Sequence, residues 1–187
     1  MLPTGAGSEV VLPLGPINHY AAPGVHWFPD GKRIFVVGRA AGHGYRCYVQ
    51  DVNGGGPKPV TPEGTVGWLL SPDGQEVLVS DSQDRFWLYP VAGGEPHPVA
   101  GLEPHESPLQ WSADGRSILV TSYGGLSAKV YRLELRSGKR ELWRELAPAD
   151  HTGLIQVGGV VVTPNAKAYA YYYETTLSDL YLAQGLN

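Results

Sequence analysis

The sequence has a single cysteine, Cys47, among its 187 residues. One cysteine cannot form an internal disulfide or a Cys-x-x-Cys metal or redox site. No apolar run approaches the roughly 18–20 residues that a membrane-spanning helix needs, so we expect no transmembrane segment. The first residues also lack the basic and apolar regions of a signal peptide. This absence indicates either a cytoplasmic protein or a targeting segment outside the sequence.

Excess positive charge and helical periodicity are missing as well. The formal net charge of −4 argues against a surface that follows nucleic-acid phosphates, so we expect no nucleic-acid partner. No segment sustains an apolar period of 3.6, which predicts no helix of consequence. The chain instead contains 25 glycines and 16 prolines, and its 42% of hydrophobic residues excludes wholesale disorder. Frequent turns in an ordered chain are therefore expected.

A five-residue motif occurs four times. It reads WFPDG at 27–31, LSPDG at 70–74, WSADG at 111–115 and, more weakly, VTPNA at 162–166. The successive copies are 43, 41 and 51 residues apart. A period of roughly 40–45 residues is typical of four-stranded propeller blades.

Each copy predicts a strand, a hairpin and a second strand. Asp-Gly supplies the positive φ and the side-chain acceptor of a tight turn. The strands after the turns are apolar on both faces, which predicts burial between two neighbouring blades. These second strands are Ile34–Val37, Val77–Val79, Ile118–Val120 and Tyr169–Tyr173.

The sequence thus predicts an all-β fold, a β-propeller of four four-stranded blades in one domain, residues 1–187. The predicted units are a closing strand within 1–16 and blades at 17–61, 62–100, 101–147 and 148–187. The fourth blade supplies three strands, the last at Asp179–Ala183, and Ser8–Leu14 is expected to pair beside it and close the ring. The alternatives are a part of a larger propeller or a ring built from two chains.

The motif W-S-P-D-G-x-x-I, followed by an apolar strand and a Tyr-rich third strand, resembles the PD40 or TolB-like (WD40-like) β-propeller repeat. The ending Thr175–Leu182 is similar to the ends of propellers attached to bacterial serine/threonine kinases and winged-helix regulators. This resemblance implies a sensor or docking module without catalytic activity. It also implies a periplasmic or other extracytoplasmic location. The resemblance names no ligand, and a fold alone never settles function.

Polar residues gather in the loops predicted to lie on one face of the propeller. Imidazoles and carboxylates that converge at a channel mouth can bind a divalent metal or a cationic ligand. No pair has the spacing of a recognised metal motif, so we expect neither a metal nor a cofactor. The candidate ligand-binding residues are His19, His43, His105, Glu106, Asp150 and His151.

The other residues with ligating, aromatic or nucleophilic side chains have structural explanations. The regularly spaced aspartates of the Asp-Gly motifs are explained by turn chemistry rather than by calcium binding. Trp27, Trp68 and Trp111 fall on inner strands and are expected to pack between blades, the alternative being that one lines a ligand pocket. Cys47 lies in the middle of a predicted strand, where a buried, inert thiol is expected.

The first hypothesis is a non-enzymatic propeller that binds a protein, peptide or small ligand through these loops, as part of a bacterial signalling protein. The second is a propeller hydrolase or lyase with its active site at the channel mouth. That site requires His19, His105 and His151 near Glu106 or Asp150. The third is a structural propeller that mediates self-assembly, so the chain is expected to be a monomer or a homo-oligomer.

Overall fold

The structure is a computed structural model that describes residues 11–178 and residue 181. All regular structure in this part of the chain is β-strand, in four antiparallel sheets whose strands follow one another in chain order. The first sheet comprises β1 (His19–Trp27), β2 (Arg33–Arg39), β3 (Arg46–Asp51) and β4 (Lys58–Pro59). The second comprises β5 (Val66–Leu70), β6 (Glu76–Ser80), β7 (Phe86–Pro90) and β8 (His97–Pro98).

The third sheet comprises β9 (Glu106–Trp111), β10 (Ser117–Gly124), β11 (Ser127–Glu134) and β12 (Arg140–Leu146). The described part of the fourth sheet comprises β13 (Leu154–Val162) and β14 (Tyr169–Thr175). The all-β prediction is therefore confirmed. The described residues include no helix with the length and hydropathy needed to cross a membrane.

The repeated motif forms the hairpin between the first two strands of every sheet. Gly31, Gly74 and Gly115 have φ values of 65°, 71° and 69°, which glycine adopts without a steric penalty. In the weak fourth copy Ala166 takes this position with φ of 54°. Asn165 replaces aspartate there, and its Oδ1 accepts a hydrogen bond from the Lys167 N–H at 3.0 Å. The fourth copy therefore keeps the turn after losing the Asp-Gly pair.

Three apolar clusters join successive sheets. The first two sheets meet around Phe35 and Val77, the second and third around Leu78 and Ile118, and the third and fourth around Leu119 and Val157. The second strands of the first three sheets are buried on both faces, as predicted. Trp68 and Trp111 pack in the cluster between the second and third sheets, which also agrees with the prediction.

In the first and fourth sheets, the faces that point away from the other sheets are less buried than predicted. Trp27 is 53% exposed rather than packed between blades, because the described chain places no sheet against it. Tyr172 and Tyr173 on β14 are 51% and 52% exposed. The predicted strand Tyr169–Tyr173 is therefore only partly buried against a neighbouring sheet. Tyr171 is half-buried, packs on the third sheet and donates a hydrogen bond from its hydroxyl to the Ala147 carbonyl at 2.9 Å.

The predicted closing pair of strands lies mostly outside the described residues, because 8–10 and most of 179–183 are not described. The described residues 11–14 are not in a strand. Leu12 packs against the first sheet beside Ile34 and Tyr48. The Gln50 side-chain amide donates a hydrogen bond to the Pro13 carbonyl at 2.7 Å. Ring closure by these segments stays a prediction.

Candidate functional site

The innermost strands of the four sheets converge on a cavity of about 510 Å³, called the channel cavity below. Each sheet begins with its inner strand. The strands β1, β5, β9 and β13 therefore line the same cavity although they are far apart in sequence. The residues that line the cavity include His26, Trp68, Pro108, Gln110, Tyr123 and Val161. The described residues of the lining include no carboxylate, lysine or arginine.

Polar atoms in the channel cavity are few, and two of them serve the fold. The Trp68 indole N–H donates to Ser80 Oγ at 3.0 Å, and the Tyr123 hydroxyl accepts the Val160 N–H at 3.2 Å. His26 Nε2 is buried and has no hydrogen-bond partner among the described residues. Burial also lowers the pKa of His26, since a low-dielectric surrounding disfavours the imidazolium. The cavity is therefore uncharged at neutral pH.

Two of the predicted site residues, His19 and His43, lie together. They line a separate cavity of about 440 Å³ beside Asn18 and Arg39, where β1 begins and the β2–β3 loop turns. His43 Nδ1 lies 2.8 Å from Glu63 Oε1. The Gly44 N–H and His43 hydrogen-bond this carboxylate and lower the pKa of Glu63. His43 thus already has a partner within the chain.

Glu106 is the buried first residue of β9 rather than part of an exposed loop. Its side chain is 3% exposed and forms an ion pair with Arg140, which also contacts Glu103 Oε1 at 3.1 Å. The Glu103 N–H donates to Glu106 Oε2 at 2.9 Å. The neighbouring His105 is 88% exposed, with its Nδ1 3.9 Å from Asp84 Oδ2. The contacts of Glu106 therefore stabilise the fold, and His105 extends into solvent.

Asp150 and His151 occupy an exposed turn before β13. Asp150 Oδ1 accepts the Thr152 N–H at 2.9 Å, and this bond lowers the pKa of Asp150. No hydrogen bond joins His19, His105 or His151 to Glu106 or Asp150 in the described chain. The cluster required by the hydrolase hypothesis is therefore not formed. Across residues 11–178, no three or more His, Cys, Asp or Glu side chains lie together as a metal site would need.

Cys47 is fully buried in β3, as predicted. Burial raises the pKa of its thiol to about 12, although hydrogen bonds from Thr61 and Thr65 oppose this effect. The reactive thiolate is therefore scarce at neutral pH. This environment agrees with an inert core cysteine.

Asp81, in the β6–β7 loop, accepts four hydrogen bonds from described residues. Desolvation raises its pKa, but bonds from the Arg85 side chain, the Gln83 and Arg85 N–H groups and Trp87 outweigh it and lower the pKa from 3.8 to about 2. The carboxylate therefore stabilises the fold fully above about pH 4, and this contribution is lost as the pH falls from 3.8 towards 2.

We expect Asp81→Asn to lower the melting temperature at neutral pH and to reduce the loss of stability between pH 4 and pH 2. Thermal unfolding of both proteins at several pH values measures this difference. Asp51→Asn, at the exposed end of β3, is the control. Parallel pH profiles for wild type and Asp81→Asn would contradict the assignment.

Sequence reasoning identified loop histidines but not the channel cavity, apart from the alternative that an inner-strand tryptophan lines a pocket. Trp68 is that residue. The cavity could have been predicted from the motif positions. Each motif marks the end of an inner strand, and the inner strands of a propeller face a common axis. His26 and Gln110 both lie directly before a tryptophan at this position.

No protein-family model matches the chain, and no curated protein matches it in sequence. Solved structures match it in fold. TolB from Acinetobacter baumannii aligns with a TM-score of 0.58 and 20% identity, over 82% of this chain and 37% of that chain. Oligogalacturonate lyase from Vibrio parahaemolyticus aligns with a TM-score of 0.57 and 10% identity, over 86% and 47%. A structure of a nidogen/laminin complex aligns with a TM-score of 0.54 and 14% identity, over 80% and 56%.

The chain therefore spans between about a third and somewhat more than half of the proteins that it matches. They include an enzyme and a protein complex, and their identities are too low to transfer either role. The likeness concerns the fold, and it confirms the propeller predicted from the repeat. The chain is a β-propeller with the fold of TolB-like propeller proteins.

Proposed function

We propose that the chain is a non-catalytic binding module whose channel cavity receives an uncharged segment of a partner protein. The observation that carries this proposal is the lining of the cavity, where aromatic and aliphatic side chains surround a few polar atoms. Ligand sites are commonly concave and apolar with a small number of polar groups that fix orientation. The Gln110 side-chain amide, whose Nε2 makes one long hydrogen bond of 3.3 Å to the Trp111 carbonyl, would supply such a group.

Acid–base catalysis is a poorer match to the cavity. A hydrolase or lyase of the predicted type needs a carboxylate or a second imidazole within reach of the first. Among the described residues that line the cavity, His26 and Tyr123 are the ionisable side chains. Glu106, the buried carboxylate of the third sheet, is neutralised by Arg140. These contacts support a binding role without catalysis.

The loop face would add a second contact. Arg39 makes no ion pair with a described residue and lies beside His19, so an acidic group of the partner would find a cation there. His43, His105, Asp150 and His151 would lie on the rim of this contact. The resemblance of the repeat and of the ending Thr175–Leu182 supports a role as the interaction part of a bacterial signalling protein.

The channel contact can be tested with peptides selected from a random display library on the 187-residue chain. We expect Gln110→Lys to weaken the selected peptides about tenfold, because it places a cation in an uncharged cavity. Gln75→Lys makes the same change in charge on an exposed hairpin and is expected to leave affinity unchanged. Fluorescence polarisation measures both, after thermal unfolding has shown that both variants fold.

Equal binding by wild type and Gln110→Lys would contradict the channel contact. Recovery of the peptide is the second measurement, because a binding module must return it intact. Cleavage detected by mass spectrometry, and lost with His26→Ala, would contradict the non-catalytic assignment.

A further inference from the structure

The first and fourth sheets each have one face without a neighbouring sheet in the described chain. The apolar clusters between sheets join the first sheet to the second, the second to the third and the third to the fourth. Among the described residues, no such cluster contains both the first and the fourth sheet. The series of packed sheets therefore ends in an open face on either side.

The open side of the first sheet carries Val25, Trp27, Ile34 and Val36, and it is called the first-sheet face below. Trp27 pairs with Ile34 and Val25 with Val36, and residues paired across antiparallel strands share a face. Phe35 lies on the opposite side, in the cluster with the second sheet. The segment before β1 buries Ile34 and Val36, but Val25 and Trp27 are more than half exposed. The open part of this face is therefore its apolar inner strand.

The open side of the fourth sheet carries Tyr172 above Gly158 and Gly159, and it is called the fourth-sheet face below. Tyr171 packs on the third sheet, and successive side chains of a strand point to opposite sides, so Tyr172 points away from the third sheet. A Cβ at Gly159 would lie 2.3 Å from Tyr172 Cδ1, and one at Gly158 would lie 3.0 Å from Cζ. The ring therefore covers both glycines and presents an exposed apolar surface.

The repeat indicates what kind of structure covers the fourth-sheet face. Tyr172 lies seven residues after Asn165 of the fourth motif. The equivalent residues of the first three sheets are Val37, Ser80 and Thr121. All three are buried, and on the same strand faces Val37, Leu78 and Leu119 contact the next sheet along the chain. A position that three sheets bury is exposed in the fourth, which indicates that a further sheet of this kind packs on it.

The first sheet offers the matching open face. Trp27 is the first residue of its motif, and Trp111, at the same position of the third motif, is buried in the cluster with the second sheet. Contact between the two open faces of one chain would bury both Trp27 and Tyr172, yet both are about half exposed. The first sheet of a second copy of the chain is therefore the sheet that fits.

We propose that the fourth-sheet face binds the first-sheet face of a second copy of this chain. Two such head-to-tail contacts join two copies of four sheets each into a closed ring of eight sheets. Propellers have about four to eight blades, and the chain spans 47% of the matched lyase, so two copies supply the sheets of one whole propeller. The described lining of the channel cavity includes neither Trp27 nor Tyr172, so this contact is independent of the proposed function.

Analytical ultracentrifugation of the 187-residue chain tests the proposal. We expect a species with the mass of two 20.1-kDa chains. Trp27→Asp and Tyr172→Asp are each expected to weaken this dimer roughly hundredfold, because each places an unpaired charge in both contacts of the ring. Leu126→Asp makes the same kind of change on the exposed β10–β11 turn and is expected to leave the dimer unchanged. A wild-type monomer at about 100 μM would overturn the proposal in favour of closure within one chain, and open polymers would overturn the two-copy ring.

Mixing Trp27→Asp with Tyr172→Asp tests which faces meet. In a mixed pair, the unaltered Trp27 of one chain meets the unaltered Tyr172 of the other, so one of the two contacts carries no substitution. We expect the mixed dimer to be roughly tenfold tighter than the dimer of either variant alone. Both changes lie at exposed positions, and thermal unfolding checks that both variants keep their fold. Equal dissociation constants for the mixture and the single variants, or one variant that dimerises like wild type, would overturn the head-to-tail contact.

Discussion

Gly67→Ala is expected to destabilise the protein by about 3 kcal/mol, at the upper end of the usual cost of overpacking a core. Gly67 is buried in β5, where the second sheet packs on the first. A Cβ at this position would lie 2.3 Å from Phe35 Cζ and 2.8 Å from Cys47 Sγ. Phe35 and Cys47 are both fully buried, so neither can move away without disturbing the cluster between the sheets. Urea unfolding measures the loss.

Gly56→Ala is the matched control for this prediction. Gly56 is exposed in the β3–β4 turn, and a Cβ there would meet no atom within 4 Å. Its φ lies outside the left-handed region, so alanine is tolerated and is expected to leave stability unchanged or slightly raised. Similar midpoints for Gly67→Ala and Gly56→Ala would show that the two sheets are not in close contact at Gly67.

The hairpins were predictable from the sequence because their determinants are local. Asp73 and Gly74 carry the acceptor and the positive φ of their own turn within a few residues. The same geometry at Asn165 and Ala166 shows that turn position survives the loss of the preferred residues. The repeat period therefore predicts where sheets begin even in the degenerate copy.

Burial could be predicted only where a neighbouring sheet exists. Leu78 and Tyr172 lie on second strands with similar apolar patterns, yet Leu78 is fully buried and Tyr172 is 51% exposed. The difference comes from the sheets on either side, which a strand pattern does not reveal. Trp27 is exposed for the same reason, although its sequence context matches that of the buried Trp111.

The candidate site was less predictable because it depends on contacts between distant residues. Glu106 was grouped with the loop histidines by its type and position, whereas its partner Arg140 lies 34 residues away. The channel cavity draws on strands from His26 to Val162. Residue type indicates which groups can do chemistry, but the sheet packing decides which of them meet.

Arg140→Met is expected to destabilise the protein by about 3 to 5 kcal/mol, because it leaves the buried Glu106 carboxylate without its cation. The loss exceeds that of a surface pair, which contributes about 0 to 1 kcal/mol. Arg140 also stacks on Tyr131, with its guanidinium carbon 4.5 Å from the ring centroid, and methionine keeps part of this apolar contact. Urea unfolding at neutral pH measures the change. Arg132→Met is the control, because Arg132 is exposed on β11 and forms no ion pair with a described residue.

The double variant Glu106→Gln with Arg140→Met separates the loss of the pair from the cost of a stranded charge. Glutamine removes the charge but can still accept the Glu103 N–H. Most of the penalty of Arg140→Met comes from the unpaired carboxylate, so the double variant is expected to recover more than half of the lost stability. If Glu106→Gln instead adds its own loss to that of Arg140→Met, the two side chains act independently. Glu106 would then be available again as a functional carboxylate at the start of β9.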